Sequence, residues 1–156
     1  MLPMSVRDNL TLASLQQLRS GLGIDTEKET AAVKEMVARM QIKAPDTSAA
    51  VGTLSGGNQQ KVVLAKWLMT DPDIILMNDP TRGIDIGTKQ EIFRMMRDLA
   101  DSGTSILFYS SDYAELIGCA DRVLVLYDGR VVRELEGEAI TEEAIVGASL
   151  NIGAAA

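Results

Sequence analysis

Two short stretches carry residue types suited to phosphate chemistry. The first is Leu54-Ser55-Gly56-Gly57-Asn58-Gln59-Gln60-Lys61. It reads as a glycine pair opening a helix, preceded by a hydroxyl side chain. The unpaired N–H groups of a helix start, with the positive end of its dipole, attract anions. Two glycines also let a phosphate approach the backbone closely. Taken alone, Ser-Gly-Gly reads equally well as a turn and a cap. The second stretch runs from Ile74 to Asp85, IILMNDPTRGID. An apolar run ends there in two polar residues and a proline turn. At that end of a strand, an α/β ATPase keeps a magnesium ligand and a water-positioning carboxylate. Alone, Asn-Asp-Pro is a plain turn.

These residues need elements to hold them. Leu10, Leu12, Leu15 and Leu18 predict an apolar stripe on a first helix ended by Gly21 and Gly23, and Val33, Met36, Val37 and Met40 predict a second over Thr26 to Met40. Pro45-Asp46-Thr47 reads as a loop. From residue 54 the pattern alternates. Gly57 to Met69 is a helix, and Ile74 to Met77 is a short apolar run suited to a buried strand. Thr88 to Ala100 is a helix, Ser105 to Tyr109 a second buried strand, and Tyr113 to Cys119 a short helix. Asp128-Gly129 between two apolar runs predicts a hairpin. Thr141 caps a last helix to Leu150, and the tail Gly153 to Ala156 is expected to fray. The expected organisation is a helical part over 1–50, an α/β part over 51–138 and a terminal helix with its tail over 139–156. Alternating strands and helices predict a mainly parallel sheet.

Composition narrows the chemistry. The 156 residues carry a net charge of -7, which argues against nucleic acid as a main partner. There is no histidine, so His triads, His–metal sites and His general bases are excluded. The one cysteine, Cys119, cannot form an internal disulfide and fits a reducing compartment, as a small buried residue. No signal pattern precedes Arg7 and Asp8, and the apolar runs are far shorter than a membrane helix needs. Trp67 and the eight methionines read as packing residues, Asp112 and Glu115 as a solvated helix face, and Glu134 to Glu138 as a solvated acidic loop.

Together, with about twenty residues between their starts and a helix filling the gap, the two stretches are far more specific than either alone. Leu54 to Gln60 resembles the signature motif of the ATP-binding cassette family, Ile74 to Asp79 its Walker B strand, and Gly83-Ile84-Asp85 its D-loop. LSGGNQQK followed by DPTRGID is similar to the second cassette of bacterial sugar importers that carry two cassettes in one polypeptide. Ser5 to Leu12 resembles that group's helical subdomain, and Asp121 to Arg130 its closing strand and hairpin. The resemblance implies a partial P-loop NTPase sheet preceded by a helical subdomain. It implies ATP and Mg2+ as cofactors, with Leu54, Ser55, Gly56, Gly57, Asn58, Gln59 and Asp85 toward nucleotide, Asn78 toward metal, and Asp79 and Ser111 in catalysis. It further implies a second cassette, membrane permease subunits, an extracytoplasmic sugar-binding protein acting indirectly, and a peripheral place on the cytoplasmic face of the membrane.

Four departures from the family pattern matter. No Gly-x-x-x-x-Gly-Lys-Ser/Thr phosphate loop occurs in the chain, nor the family's Gln loop; both are expected N-terminal to residue 1. Asn78 stands where the family has Asp and brings no charge to magnesium. Asp79 stands where it has Glu and is one methylene shorter, in a geometry intolerant of shifts near 1 Å. Ser111 stands where the switch histidine is expected. An intact signature beside a degraded Walker B fits a weak site in a two-site protein, in which this cassette lends its signature to a partner's ATP. The alternatives are a drifted fragment, a non-catalytic dimerisation module and a non-transport cassette ATPase. Without a phosphate loop, no lysine or backbone nest holds the β- and γ-phosphates. The 156-residue chain is therefore expected to bind ATP weakly and not hydrolyse it. Calorimetry finding micromolar, magnesium-dependent affinity would overturn this.

Overall fold

A computed structural model describes residues 1–21 and 23–150 of the chain, and the expected frayed tail lies outside the described residues. Its helices are α1 (Val6–Thr11), α2 (Thr26–Arg39), α3 (Gly56–Leu68), α4 (Ile86–Asp101), α5 (Tyr113–Cys119) and α6 (Glu142–Ser149). Each starts behind a Ser, Asp or Thr whose side chain accepts an N–H from the first turn: Ser5, Asp25, Ser55, Asp85, Asp112 and Thr141. Such caps contribute about 1 kcal/mol each. The strands are β1 (Arg19–Ser20), β2 (Gly23–Ile24), β3 (Ile74–Asn78), β4 (Ser105–Tyr109), β5 (Arg122–Tyr127) and β6 (Arg130–Glu136). Among the described residues they pair as β1-β2, β3-β4 and β5-β6.

The chain divides into two compact units, Met1–Leu107 and Phe108–Ala156. In the first, α1 packs against α2 and α3, and α3 against α4. Val6, Leu10, Val33, Val62, Ala65 and Ile92 form its most deeply buried apolar positions. The backbone of residues 2–7 is tied to residues 47–52, through Val6 N–H to the Ala49 carbonyl and Val51 N–H to that of Met4. Ser105 N–H donates to the Asp73 carbonyl at 2.9 Å, so β3 and β4 start side by side and run parallel, with α4 as the crossover. In the second unit β5 and β6 form the expected hairpin, from Arg122 opposite Glu136 to Tyr127 opposite Arg130. Asp128 (φ 46°) and Gly129 (φ 72°) supply the two left-handed residues that a tight hairpin turn requires. Its core is Val123, Val125, Leu135, Ile140, Ile145 and Ala148.

Several expectations need correction. The first helix stops at Thr11. Residues 12–18 continue as separate turns, because the Thr11 and Ser14 hydroxyls take the Arg7 and Thr11 carbonyls and Ser14 and Gln17 N–H groups bond three residues back. Leu10 and Leu18 are buried, whereas Leu12 and Leu15 are exposed. Neither β3 nor β4 is buried on both faces; Ile75 and Met77 point inward, but Ile74 and Leu76 are 66% and 74% exposed and Leu107 is 61% exposed. Trp67 lies at the surface, with the Lys66 ammonium 4.8 Å from its ring centre. Cys119 is half-buried. Glu115 is buried, not solvated, because its carboxylate accepts the Ser110 hydroxyl at 2.6 Å. Residues 134–136 belong to β6 and turn Leu135 into the core, so no acidic loop forms there. Of the methionines, Met36, Met40, Met77 and Met96 are core residues, and Met1 is exposed.

A strand pair with one open apolar face and unpaired edges invites association. The purified chain is expected to self-associate as its concentration rises, read by light scattering and sedimentation. A sharp, concentration-independent thermal transition of a monomer would count against it.

Candidate functional site

The site is built on the start of α3. Ser55 is extended (φ −60°, ψ 153°) and caps the helix. Its Oγ accepts the Asn58 backbone N–H at 3.4 Å and the Asn58 Nδ2 at 2.8 Å. A hydroxyl has two lone pairs and one hydrogen. With both lone pairs taken by Asn58, the Ser55 O–H is left as a donor on an exposed residue at the positive end of a 13-residue helix. The arrangement can donate to an oxyanion through that hydroxyl and through the first N–H groups of the helix.

The two glycines do different work. A Cβ on Gly57 would meet the Thr88 methyl and hydroxyl at 2.7 Å, so Gly57 is where α3 and α4 come together. A Cβ on Gly56 would meet nothing within 4 Å. The protein's own packing therefore leaves Gly56 open to an approaching group. Beyond them, Asn58 Oδ1 accepts the Lys43 N–H at 2.8 Å and Gln59 Nε2 donates to the Leu54 carbonyl at 2.8 Å. Leu54 itself is buried. Both amide side chains predicted to meet nucleotide are thus engaged in holding the loop.

Asp85 caps α4, accepting the Thr88 N–H at 2.9 Å and its hydroxyl at 2.8 Å. The Thr88 backbone N–H, then its hydroxyl, hold the Asp85 carboxyl below the usual carboxylate range. Thr88 therefore touches both the signature stretch and the stretch read as a D-loop, and it is a joint that the sequence reading missed. Its one signal was a Thr three residues after Asp85, the spacing of a cap.

Asn78 ends β3, exposed, and Asp79 follows in a left-handed conformation (φ 44°) with its carbonyl accepting the Arg82 N–H at 3.1 Å. Buried Pro80 and Thr81 anchor this turn. Among the described residues no group of three or more Cys, Asp or Glu could hold a metal ion. One carboxylate and one amide oxygen suit a magnesium ion only when phosphate oxygens and water complete its shell. Ser111 follows β4, exposed, in the second unit, beside the buried Ser110–Glu115 pair. Between α3 and β3 lies an open groove of about 330 Å³, lined by Val63, Trp67, Pro72, Ile74 and Leu76.

The sequence resembles known proteins over nearly its whole length. The ABC transporter family matches residues 2–82. The ribose import ATP-binding protein RbsA 1 of Mesorhizobium japonicum is 60% identical over 97% of this chain and 30% of its own length. The ribose import ATP-binding protein RbsA of Hahella chejuensis is 43% identical over 93% of this chain and 29% of its length. The chain thus spans about 30% of the curated relatives it matches. Among solved structures, the ADP conformation of the ATP-binding cassette MJ1267 superposes with a TM-score of 0.77 at 22% identity, over 99% of this chain and 64% of that one. The dimeric post-hydrolysis state of the cassette MJ0796 with ADP and Pi gives 0.75 at 24%, over 87% and 58%. These superpositions place the fold among ATP-binding cassettes.

The two glycines should separate on substitution. Gly57→Ala forces a methyl against a short, capped threonine and is expected to destabilise the chain by about 1–3 kcal/mol, the range for overpacking. Gly56→Ala, whose methyl meets open space, is expected to leave stability unchanged or raise it by up to about 1 kcal/mol. Urea denaturation of both variants checks this, and equal losses would contradict the assignment of the two roles.

Proposed function

The chain belongs to the ABC transporter family, and from that membership we propose that it is the C-terminal part of the ATP-binding subunit of a sugar importer. The observation that carries the reading is the start of α3: an exposed Ser55 whose hydroxyl oxygen accepts twice from Asn58, beside an open Gly56. In the proposed assembly this surface closes over ATP held by the phosphate loop of a second cassette. Ser55 and the first N–H groups of α3 meet the γ-phosphate, where charge develops during transfer. Asp85, capped onto α4, borders the same surface. Residues 1–50 serve as part of the helical subdomain, 51–138 as the α/β core and 139–156 as the terminal helix.

Asp79 serves the nucleotide of this cassette's own site, with Asn78 toward magnesium, and the resemblance gives Ser111 the position of the switch residue. Magnesium there would neutralise phosphate charge. Asn78 gives it an amide oxygen with no negative charge, and Asp79 reaches one methylene less far toward an attacking water than a glutamate. The own site is therefore the weak one of the pair. Binding and hydrolysis of MgATP couple to permease subunits in the membrane, with a sugar-binding protein delivering substrate outside; the similarity to ribose import ATP-binding proteins supports a sugar such as ribose. No helix of the described residues is long and apolar enough to cross a membrane, in keeping with peripheral attachment at the cytoplasmic face. A second reading, a non-catalytic dimerisation module, is favoured by Asn78, which brings no charge to magnesium.

The test compares Gly56→Asp with Asp79→Asn in the full-length protein carrying this segment. Gly56→Asp sets a carboxylate against the phosphate and is expected to lower kcat about 10²–10³-fold, the scale of losing one preorganised donor. Asp79→Asn is expected to cost far less in both ATPase and transport. Equal loss, or a greater loss from Asp79→Asn, would make this cassette's own site catalytic. Full activity in Gly56→Asp would favour the non-catalytic module.

A further inference from the structure

We propose that Lys61 is a positioning residue for the Ser55 hydroxyl, acting through the 41–43 segment and Asn58. The proposal rests on the reading that Ser55 faces a phosphate. Lys61 lies one helical turn beyond Gly57 and is 4% exposed. Its ammonium meets Glu91 Oε2 of α4 at 2.6 Å and the Gln41 carbonyl at 3.2 Å. The Lys61 hydrogen bond and charge hold the Glu91 carboxyl below its usual range. Gln41 sits just past the end of α2 in a left-handed conformation (φ 50°) that residues other than glycine adopt reluctantly. An ammonium buried this deeply is stable only where its partners are in place. Lys61 therefore fixes the 41–43 segment against both α3 and α4.

Two residues on, that segment acts on the site. The Lys43 N–H donates to Asn58 Oδ1 at 2.8 Å, which decides which end of the amide faces Ser55. With Oδ1 engaged, Nδ2 is turned to Ser55 Oγ, and the hydroxyl becomes an outward donor. If the 41–43 segment slackens, the Asn58 amide can turn over. Oδ1 then accepts the Ser55 hydrogen, and the donor is lost without any change at Ser55 itself. The route from α4 to the hydroxyl is thus Glu91, Lys61, Gln41, Lys43, Asn58 and Ser55.

The experiment uses the full-length protein with Lys61→Met, Lys61→Arg, Ser55→Ala and the Lys61→Met/Ser55→Ala double variant. Methionine keeps the length and apolar bulk of the stem while removing the donor. Lys61→Met is expected to lower kcat about 10-fold with KM for ATP nearly unchanged, the pattern of an interaction made in the transition state. Lys61→Arg, which can still bridge Glu91 and Gln41, should recover most of the loss. The double variant should be no slower than Ser55→Ala alone, because both changes remove one donor. Additive losses would reduce Lys61 to a general structural role and overturn the proposal, as would wild-type kcat in Lys61→Met. Should Lys61→Met fold poorly, Glu91→Gln offers the milder loosening, and additivity with Ser55→Ala has the same meaning. Unchanged kcat in Ser55→Ala would instead overturn the phosphate-facing reading, and this proposal with it. A loss in Ser55→Ala beside a wild-type Lys61→Met removes only the positioning role.

Discussion

The missing Cβ of Gly57 is the constraint around which the first unit is arranged. It lets Thr88 sit where a methyl group would otherwise stand, and so lets α3 and α4 meet near their starts. Thr88 is at the same time the partner of the cap Asp85. Two helix beginnings, each with unpaired N–H groups and a positive dipole end, are thereby brought together. Like dipole ends repel weakly. The ionised Asp85 cap lies beside them and offsets that repulsion, and its lowered pKa keeps it ionised. Packing and electrostatics therefore act at one point, and the stretches flanking it inherit their positions.

Behind this joint lies a buried charge. Replacing a buried charge and its partner with well-packed apolar residues is often neutral or stabilising, and the Glu91 side chain is still 32% exposed, so the pair adds little to stability. Their contribution is directional. An ammonium accepts only certain arrangements of oxygen around it, and here those oxygens belong to α4 and to the turn after α2. The pair thus converts an apolar contact, which tolerates sliding, into one that does not. In this unit the polar network sets geometry and the apolar core supplies cohesion.

Local signals carried much of this architecture. Asp-Gly between apolar runs predicted the β5–β6 hairpin, and a Thr before Glu142 and Glu143 predicted the cap of α6, because turns and caps are decided within four residues. The signature stretch was legible for the same reason, since Ser55 and its glycines make a helix start from local chemistry. What escaped was non-local. The apolar runs of β3 and β4 implied cover on both faces, but cover comes from other segments and cannot be read from the strand. Lys61 carries no mark of burial, because its partner Glu91 lies thirty residues away on another helix. The part that Asn58 and Gln59 play in holding the loop was hidden as well, because their backbone partners lie outside the helix they start. The first leucine stripe failed at Thr11 and Ser14, where side-chain hydroxyls drew on the carbonyls that a longer helix needs.

Trp67 gives the open groove between α3 and β3 a property of its own. It is the chain's one tryptophan, it lines that groove, and its ring is half in solvent under the Lys66 ammonium. Indole emission moves to shorter wavelength when water leaves its surroundings. The light emitted by this chain on excitation near the red edge of protein absorption therefore comes from a single place, and its colour follows whatever polypeptide or solvent occupies that face.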